Sequence, residues 1–380
     1  MKKILICLCL LMSTSLGWAA EPIKIAFIGP MTGEFSIVGR ESKQVLTLLA
    51  SDLNDQGGLL GRKVDLLFED DGGKSESALP VGKSIVRQNV VAVVGSFTST
   101  VTESLQSIFD EAKIIHISYG SSAVSLTGKG LRYFFRTCPQ DRDQAKAIVN
   151  LIRKNKGKKI ALLHDNSLYG KELAEQVRDV LHDWMIDVVS YESLQPGRND
   201  YRADLEKIKA KGADMVFFAG YYPEAAKLLS GREQMKWSVP FLGGDAVNNP
   251  GLVKLAGKKA TEDFHFLSPP IPFDLNSPRA KLFLQRYREA YGETPVSIHA
   301  LLAGEAFIAV TDSIRRQQTT DPDKISAYLH LKYFNPAGLT GPIYFDYKGD
   351  VVNNLYGIYS VDSEGRFILQ RLVQQGLTIK

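Results

Sequence analysis

Continuous apolar runs of strand length, separated by segments with helical apolar spacing, constrain this chain more than any other feature of it. Ile23 to Gly29 (IKIAFIG), Val64 to Asp70 (VDLLFED), Val90 to Gly95 and Ile114 to Ser118 read as strands. Helical periodicity fills the gaps, from Arg40 to Asn54, Ser75 to Gln88 and Ser99 to Glu111. Strands that are apolar on both sides must be covered on both faces, and amphipathic crossover helices supply that cover for a parallel sheet. The same alternation restarts after Asp141. Helix Asp143 to Asn155 leads to strand Lys159 to His164 (KIALLH), helix Lys171 to Asp183 and strand Asp187 to Tyr191. Helix Tyr201 to Lys211, strand Met215 to Ala219 (MVFFA), helix Glu224 to Arg232 and a short strand Val239 to Leu242 follow. Two runs of similar length predict two α/β lobes. Helices expected at Arg279 to Tyr291, His299 to Gln318 and Pro322 to Leu331 have no lobe assigned by periodicity alone.

The first twenty residues stand apart from this pattern. Met1-Lys2-Lys3 is basic, Ile4 to Met12 is apolar, and Gly17-Trp18-Ala19-Ala20 is mostly small. That is the layout of a cleaved export leader, with cleavage after Ala19 fitting better than after Ala20, which would put Trp18 at the −3 position. The apolar run is too short to span a bilayer comfortably, and no Cys follows for lipid attachment. A periplasmic protein not inserted in the membrane is the expectation. Of three cysteines, Cys7 and Cys9 fall in the leader, leaving Cys138 without an internal disulfide partner. No base lies near Cys138 in sequence, so it reads as a structural thiol. With 46 basic and 42 acidic residues scattered along the chain, the net charge of +4 gives no reason to expect nucleic acid.

Enzyme signatures are tested and fail. Gly82-Lys83-Ser84 has the tail of a phosphate loop, but Ser77 occupies the place of its first glycine, and the segment reads as helix. Gly29-Pro30-Met31-Thr32-Gly33 lacks dinucleotide-binding spacing. Glu69-Asp70-Asp71-Gly72-Gly73 lacks the ligand alternation of a calcium loop and is read as a solvated acidic turn. The six histidines never reach metal-ligand spacing, and His116 reads as a core residue; no metal or cofactor is expected. What remains are loops at the C-terminal ends of strands, where open α/β sheets bind ligands. Gly95 to Thr100 opens a helix whose N–H groups suit an anion. Tyr119 to Ser122, Tyr169-Gly170, Gly220-Tyr221-Tyr222 and Gly243-Gly244-Asp245 sit at equivalent places.

Across nearly the whole chain after the leader, the sequence resembles the leucine/isoleucine/valine-binding proteins, type I periplasmic solute-binding proteins that serve ABC importers. The segments that carry the likeness are IKIAFIGPMTG, LNDQGGLLGRKVDLLFEDD, VVGSFTST, LLHDNSLYGKELA, FFAGYYPEAA, FLGGDAV and LTGPIYFDYKGD, in that order. The resemblance implies an α/β, type I periplasmic-binding-protein fold: two Rossmann-like lobes with three interlobe crossovers. It places 21–140 with 269–345 in lobe one and 141–268 with 346–380 in lobe two. It implies a non-enzymatic, monomeric receptor that captures an amino acid by lobe closure and hands it to ABC transporter permease subunits. Ser99 is then the contact for the α-carboxylate; Gly120 and Ser122 touch carboxylate and ammonium, and Asp245 faces the ammonium. Tyr169 and Tyr221 close over the ligand. Val38 stands where branched-chain-specific members commonly have Tyr, and Ser297, with His299 nearby, lies near an aromatic pocket position. These departures leave the side-chain pocket wider or more polar, so a ligand larger or more polar than valine is expected. An amide, urea or aromatic acid as ligand, a sensor role, or an exported α/β enzyme are the alternatives.

Overall fold

The computed structural model describes residues 21–352, 355–374 and 377–379; the proposed leader lies outside them. The first half runs β1 (Ile23–Gly29), α1 (Ser36–Asp55), β2 (Val64–Asp70), α2 (Ser75–Val86) and β3 (Ala92–Val94). It continues with α3 (Ser99–Glu111), β4 (Ile115–Ser118), α4 (Ser125–Gly128) and β5 (Phe134–Arg136). These strands form one parallel sheet in the order β2-β1-β3-β4-β5. β1 is its centre. Its side chains are buried on both faces, Phe27 joining one apolar cluster while Ala26 and Ile28 join another.

Next come α5 (Asp141–Lys154), β6 (Lys159–His164), α6 (Leu168–Asp183), β7 (Asp187–Ser193), α7 (Arg202–Ala210) and β8 (Met215–Ala219). Then follow α8 (Tyr222–Gln234), β9 (Phe241–Gly243), α9 (Gly251–Ala256), α10 (Lys258–Thr261) and β10 (His265–Ser268). After α11 (Pro278–Tyr291), α12 (Ile298–Gln317) and α13 (Pro322–Leu331), the chain ends in β11 (Leu355–Val361), β12 (Phe367–Gln374) and β13 (Leu377–Ile379). The second sheet has the order β13-β12-β11-β10-β9-β8-β6-β7. Its β6 to β10 part is parallel as expected, but β10 to β13 pair antiparallel. A tight turn explains that difference. Gly365, at φ +80°, closes the β11–β12 connection, and only antiparallel neighbours can be joined so briefly.

The chain passes between sheets three times: between β5 and β6, between β10 and α11, and before β11. Helix α12 packs on α1, α13, β3 and β4, which seats the late helices on the first sheet. It is buried nearly all round, as a helix enclosed by other elements must be. Asp350 also stays with the first sheet, bridging to Arg136 at the end of β5. The Arg136 side chain is fully buried, and its Nε meets Asp350 Oδ1 at 2.5 Å. His116 is a core residue as read, with Nε2 2.6 Å from the Gly95 carbonyl. The acidic turn is a correction: Asp71 is buried, not solvated, because its carboxylate accepts from the Gly73 N–H and the Ser96 hydroxyl.

Two outcomes follow for stability. Asp350→Ala leaves the Arg136 charge buried and uncompensated, and urea titration is expected to show a loss of about 3–5 kcal/mol. The second concerns Glu305 on α12, which accepts from the Thr340 N–H at 2.6 Å while Oε2 has no partner. Burial pushes its carboxyl from 4.5 up to about 7, with the Thr340 bonds pulling the other way. Between those values the folded state holds a proton that the unfolded chain has lost, so this contribution to stability falls as pH rises. Glu305→Gln removes the titration. Its unfolding free energy, relative to wild type, is expected to rise by up to about 3 kcal/mol between pH 4.5 and 7.

Candidate functional site

In both sheets the strand order reverses beside a central strand, β1 in the first and β6 in the second, and the loops after the strands there face one cleft. From the first sheet come Phe35 after β1, Phe97 to Ser99 after β3, and Gly120 and Ser122 after β4. From the second come Tyr169 after β6, Tyr221 after β8 and Asp245 after β9. Rings join the two sides. Phe97 lies 6.0 Å from Tyr221, Phe35 lies 4.9 Å from Tyr221, and Tyr221 lies 5.3 Å from Tyr169. The Tyr169 hydroxyl donates to Asp245 Oδ1 at 2.9 Å. All six residues singled out for ligand contact stand in these strand-end loops or the first turns that follow them. Val38, Ser297 and His299 are buried on the first-sheet side, where His299 packs edge-on against Phe97 at 5.0 Å.

Local structure accounts for these positions. Ser99 is the first residue of α3, and its hydroxyl accepts from the Ala123 N–H at 3.3 Å, which ties α3 to the β4 loop. Its own N–H faces the Tyr221 hydroxyl. Gly120 has no room for a side chain: a Cβ there would sit 2.5 Å from the Phe97 ring and 2.8 Å from the Phe97 carbonyl. In the second lobe, Asp165 organises both aromatics. It accepts from Ser167, which caps the helix carrying Tyr169, and from the Tyr221 N–H at 2.9 Å. Gly170 and Gly220 leave space for that carboxylate. Burial pushes Asp165 up to about 6, against the pull of these hydrogen bonds.

Several functional groups were not legible in the sequence. Asp141 opens α5 and is fully buried; its N–H donates to the Ser122 carbonyl, and Oδ2 has no partner. An acid in the first turn of a helix is ordinary dipole chemistry, so nothing marked it. Gln144, one turn on, accepts from the Asp245 N–H at 2.9 Å and turns its amide to Asp141 Oδ1 at 3.5 Å. Burial raises both Asp245 and Asp141, and their mutual repulsion adds to it for Asp141. Thr98 Oγ1 and Ser122 Oγ are also buried without partners; Ser122 lies beside the Asp141 carboxyl but in no well-formed hydrogen bond. Burial holds the Cys138 thiol protonated, as befits a structural residue. Among the described residues no group of acids, histidines and cysteines could hold a metal, and no helix is long and apolar enough to cross a membrane.

Residues 22–366 match the family model described as periplasmic binding protein. The chain belongs to that family. Its fold is the type I fold, and its relatives are leucine/isoleucine/valine-binding proteins. A Pseudomonas aeruginosa protein named for binding leucine, isoleucine, valine, threonine and alanine is 30% identical over 91% of each chain. A Leu/Ile/Val-binding protein of Escherichia coli is 26% identical over 96% of this chain and 97% of its own. Among solved structures, a Streptococcus pneumoniae branched-chain amino acid transporter substrate-binding protein in complex with isoleucine superposes with a TM-score of 0.84. It is 28% identical and covers 93% of this chain and 99% of its own. A leucine-binding protein of Thermotoga maritima also gives 0.84, at 25% identity over 92% and 98%. Periplasmic binding proteins are solute receptors, and this one shares their cleft architecture.

Asp165 is the residue on which the second-lobe side of that cleft converges. Asp165→Asn keeps its shape but turns one acceptor into a donor, so at least one of the bonds from Ser167 and Tyr221 is lost. Urea unfolding is expected to show a loss of about 1–3 kcal/mol, with a changed near-ultraviolet tyrosine dichroism from Tyr169 and Tyr221.

Proposed function

We propose that this protein is a periplasmic, non-enzymatic receptor that binds an amino acid between its lobes and delivers it to the permease subunits of an ABC transporter. One observation carries the reading. Buried polar atoms without partners converge where the loops meet: Thr98 Oγ1 and Ser122 Oγ at the start of α3 and in the β4 loop, and Asp141 Oδ2 beside Asp245. Unpaired buried groups are costly, so their concentration in one cleft points to a ligand that pairs with them. Donors at a helix N-terminus suit a carboxylate, and two neighbouring acids that form no ion pair among the described residues suit an ammonium.

In this reading Ser99, Gly120 and Ser122 take the α-carboxylate end and Asp245 takes the ammonium, with Asp141 as its neighbour. Tyr169 and Tyr221 cover the ligand. Lobe one comprises 21–140 with 269–345, and the segment to Asp350 travels with it; lobe two holds 141–268 and the strands from β11 onward. The leader, removed after Ala19, brings the protein to the periplasm as a monomer. The ligands named for its relatives support the class: leucine, isoleucine, valine, threonine and alanine for one, isoleucine for another.

A thermal-shift screen against amino acids, amides and aromatic acids identifies the class, since a ligand at 100 times its Kd adds about 2.7 kcal/mol. Amino acids are expected to give the shifts. Asp245→Asn is then expected to stay folded and weaken the best amino acid by about 2–5 kcal/mol in calorimetry. Unchanged affinity in the folded variant would remove Asp245 from the ammonium site.

A further inference from the structure

We propose that the side-chain end of the cleft selects an amino acid whose side chain is neutral and hydrogen-bonding, a hydroxyl or a carboxamide, with Ser297 and His299 as the specificity-determining residues. The proposal rests on the amino-acid reading above and goes further by naming the side-chain class.

Ser297 stands at the N-terminus of α12 in extended backbone. Its N–H is spent on Glu41 Oε2 at 2.8 Å, and its hydroxyl caps nothing and has no partner, although the residue is only 5% exposed. His299 is 3% exposed, and among the described residues neither of its ring nitrogens makes a hydrogen bond. The contrast with His116 is informative. Where this fold uses a buried imidazole structurally, it gives one nitrogen a carbonyl at 2.6 Å. His299 has only an edge contact with Phe97, the ring that reaches Tyr221 across the cleft. His299 thus ends the aromatic wall whose other end is Tyr169 and Asp245, and Ser297, two residues before it at the start of α12, is the second buried polar side chain there without a partner.

The chemistry of the pair fixes the ligand class. Burial pushes His299 down to about 4, so the ring is neutral and offers one donor and one acceptor. The Ser297 hydroxyl also donates and accepts. Glu41, the acid beside them, accepts from the Val296 and Ser297 N–H groups at 2.8–3.1 Å, and burial pushes its carboxyl up to about 7, so it is a poor countercharge for a basic side chain. A hydroxyl or carboxamide satisfies both residues; an apolar side chain of the same shape leaves both unmet. Val38, buried on α1, supplies apolar wall without a polar group of its own.

The test uses isosteric pairs, threonine against valine and asparagine against leucine, with alanine as a reference that lacks the distinguishing group. Calorimetry on the purified protein is expected to show the polar member of the tighter-binding pair leading by about tenfold or more. Ser297→Ala and His299→Leu are expected to bring that ratio close to one while alanine affinity stays within about twofold, and His299→Gln is expected to keep the preference. Equal or tighter binding of the apolar member by wild type overturns the proposal and leaves the amino-acid reading standing. A ratio that survives in both folded variants overturns the assignment to these residues. Where a variant fails to fold, the wild-type ratio decides. If none of the five binds while the wider screen finds another amino acid, this proposal falls and the amino-acid reading stands; if no amino acid binds, both fall.

Discussion

The buried contact between Arg136 and Asp350 is what the first lobe and its half of the cleft are built around. A guanidinium with no access to water needs every donor occupied, and this one is served from three separate stretches of chain. Nε goes to Asp350, Nη1 to the carbonyls of Ser121 and Ala123 at 3.1 and 2.7 Å, and Nη2 to the Thr127 hydroxyl at 3.0 Å. Thr127 in turn donates to the second oxygen of Asp350. The residue between the two carbonyls is Ser122, so the cation fixes the backbone that presents Gly120 and Ser122 to the cleft. Its partner Asp350 lies at the end of the chain's return to the first sheet, where the Arg136 N–H also meets the Gly349 carbonyl at 2.9 Å. Net stabilisation from a buried ion pair is often small, but a wrong pairing strands a charge. The contact therefore sets the register in which β5, the β4 loop and the returning segment can coexist.

Much of this was open to sequence reading for one reason: the parallel strands are apolar on both faces. IKIAFIG and MVFFA announce buried strands because no alternation is needed when helices cover both sides. The same logic explains what was missed. The strand His265–Ser268 carries a half-buried histidine at its start and follows two very short helices, so it offers no run long enough to stand out. The β11–β12 hairpin mixes exposed and buried positions, as an antiparallel edge does, and its turn is marked chiefly by Gly365. Helix α1 begins at Ser36, four residues before the expected start, because Ser36 and Ile37 lie outside the buried stripe that defined the period.

The cleft was legible through a different property. Strand-end loops rich in glycine, serine and tyrosine marked where ligand chemistry is placed, and those loops do meet. The residues that escaped act through burial and bonding, not through type. Asp165 and Gln144 look like ordinary polar residues until their partners, 56 and 101 positions away along the chain, are known. Phe35 escaped because its importance is to pack with both lobes at once, touching apolar clusters of each.

Hydrogen bonds also cross between the lobes. The Tyr222 hydroxyl donates to the Glu34 carbonyl at 2.9 Å, the Ser125 N–H to Glu172 at 3.0 Å, and the Leu168 N–H approaches Thr100 Oγ1 at 3.4 Å. With the aromatic layer they favour closure. Against them stands the cost of enclosing Asp141 and Asp245 together, two carboxylates with no cation beside them apart from Arg136, which is already committed to Asp350. In the proposed reading, a proton or an ammonium group would each relieve that cost, and only an amino acid would also pair the hydroxyls of Thr98 and Ser122. A ligand shifts a conformational equilibrium only by its difference in affinity for the two states. In the proposed reading that difference would arise because the groups that need the ligand most are those that closure would remove from water.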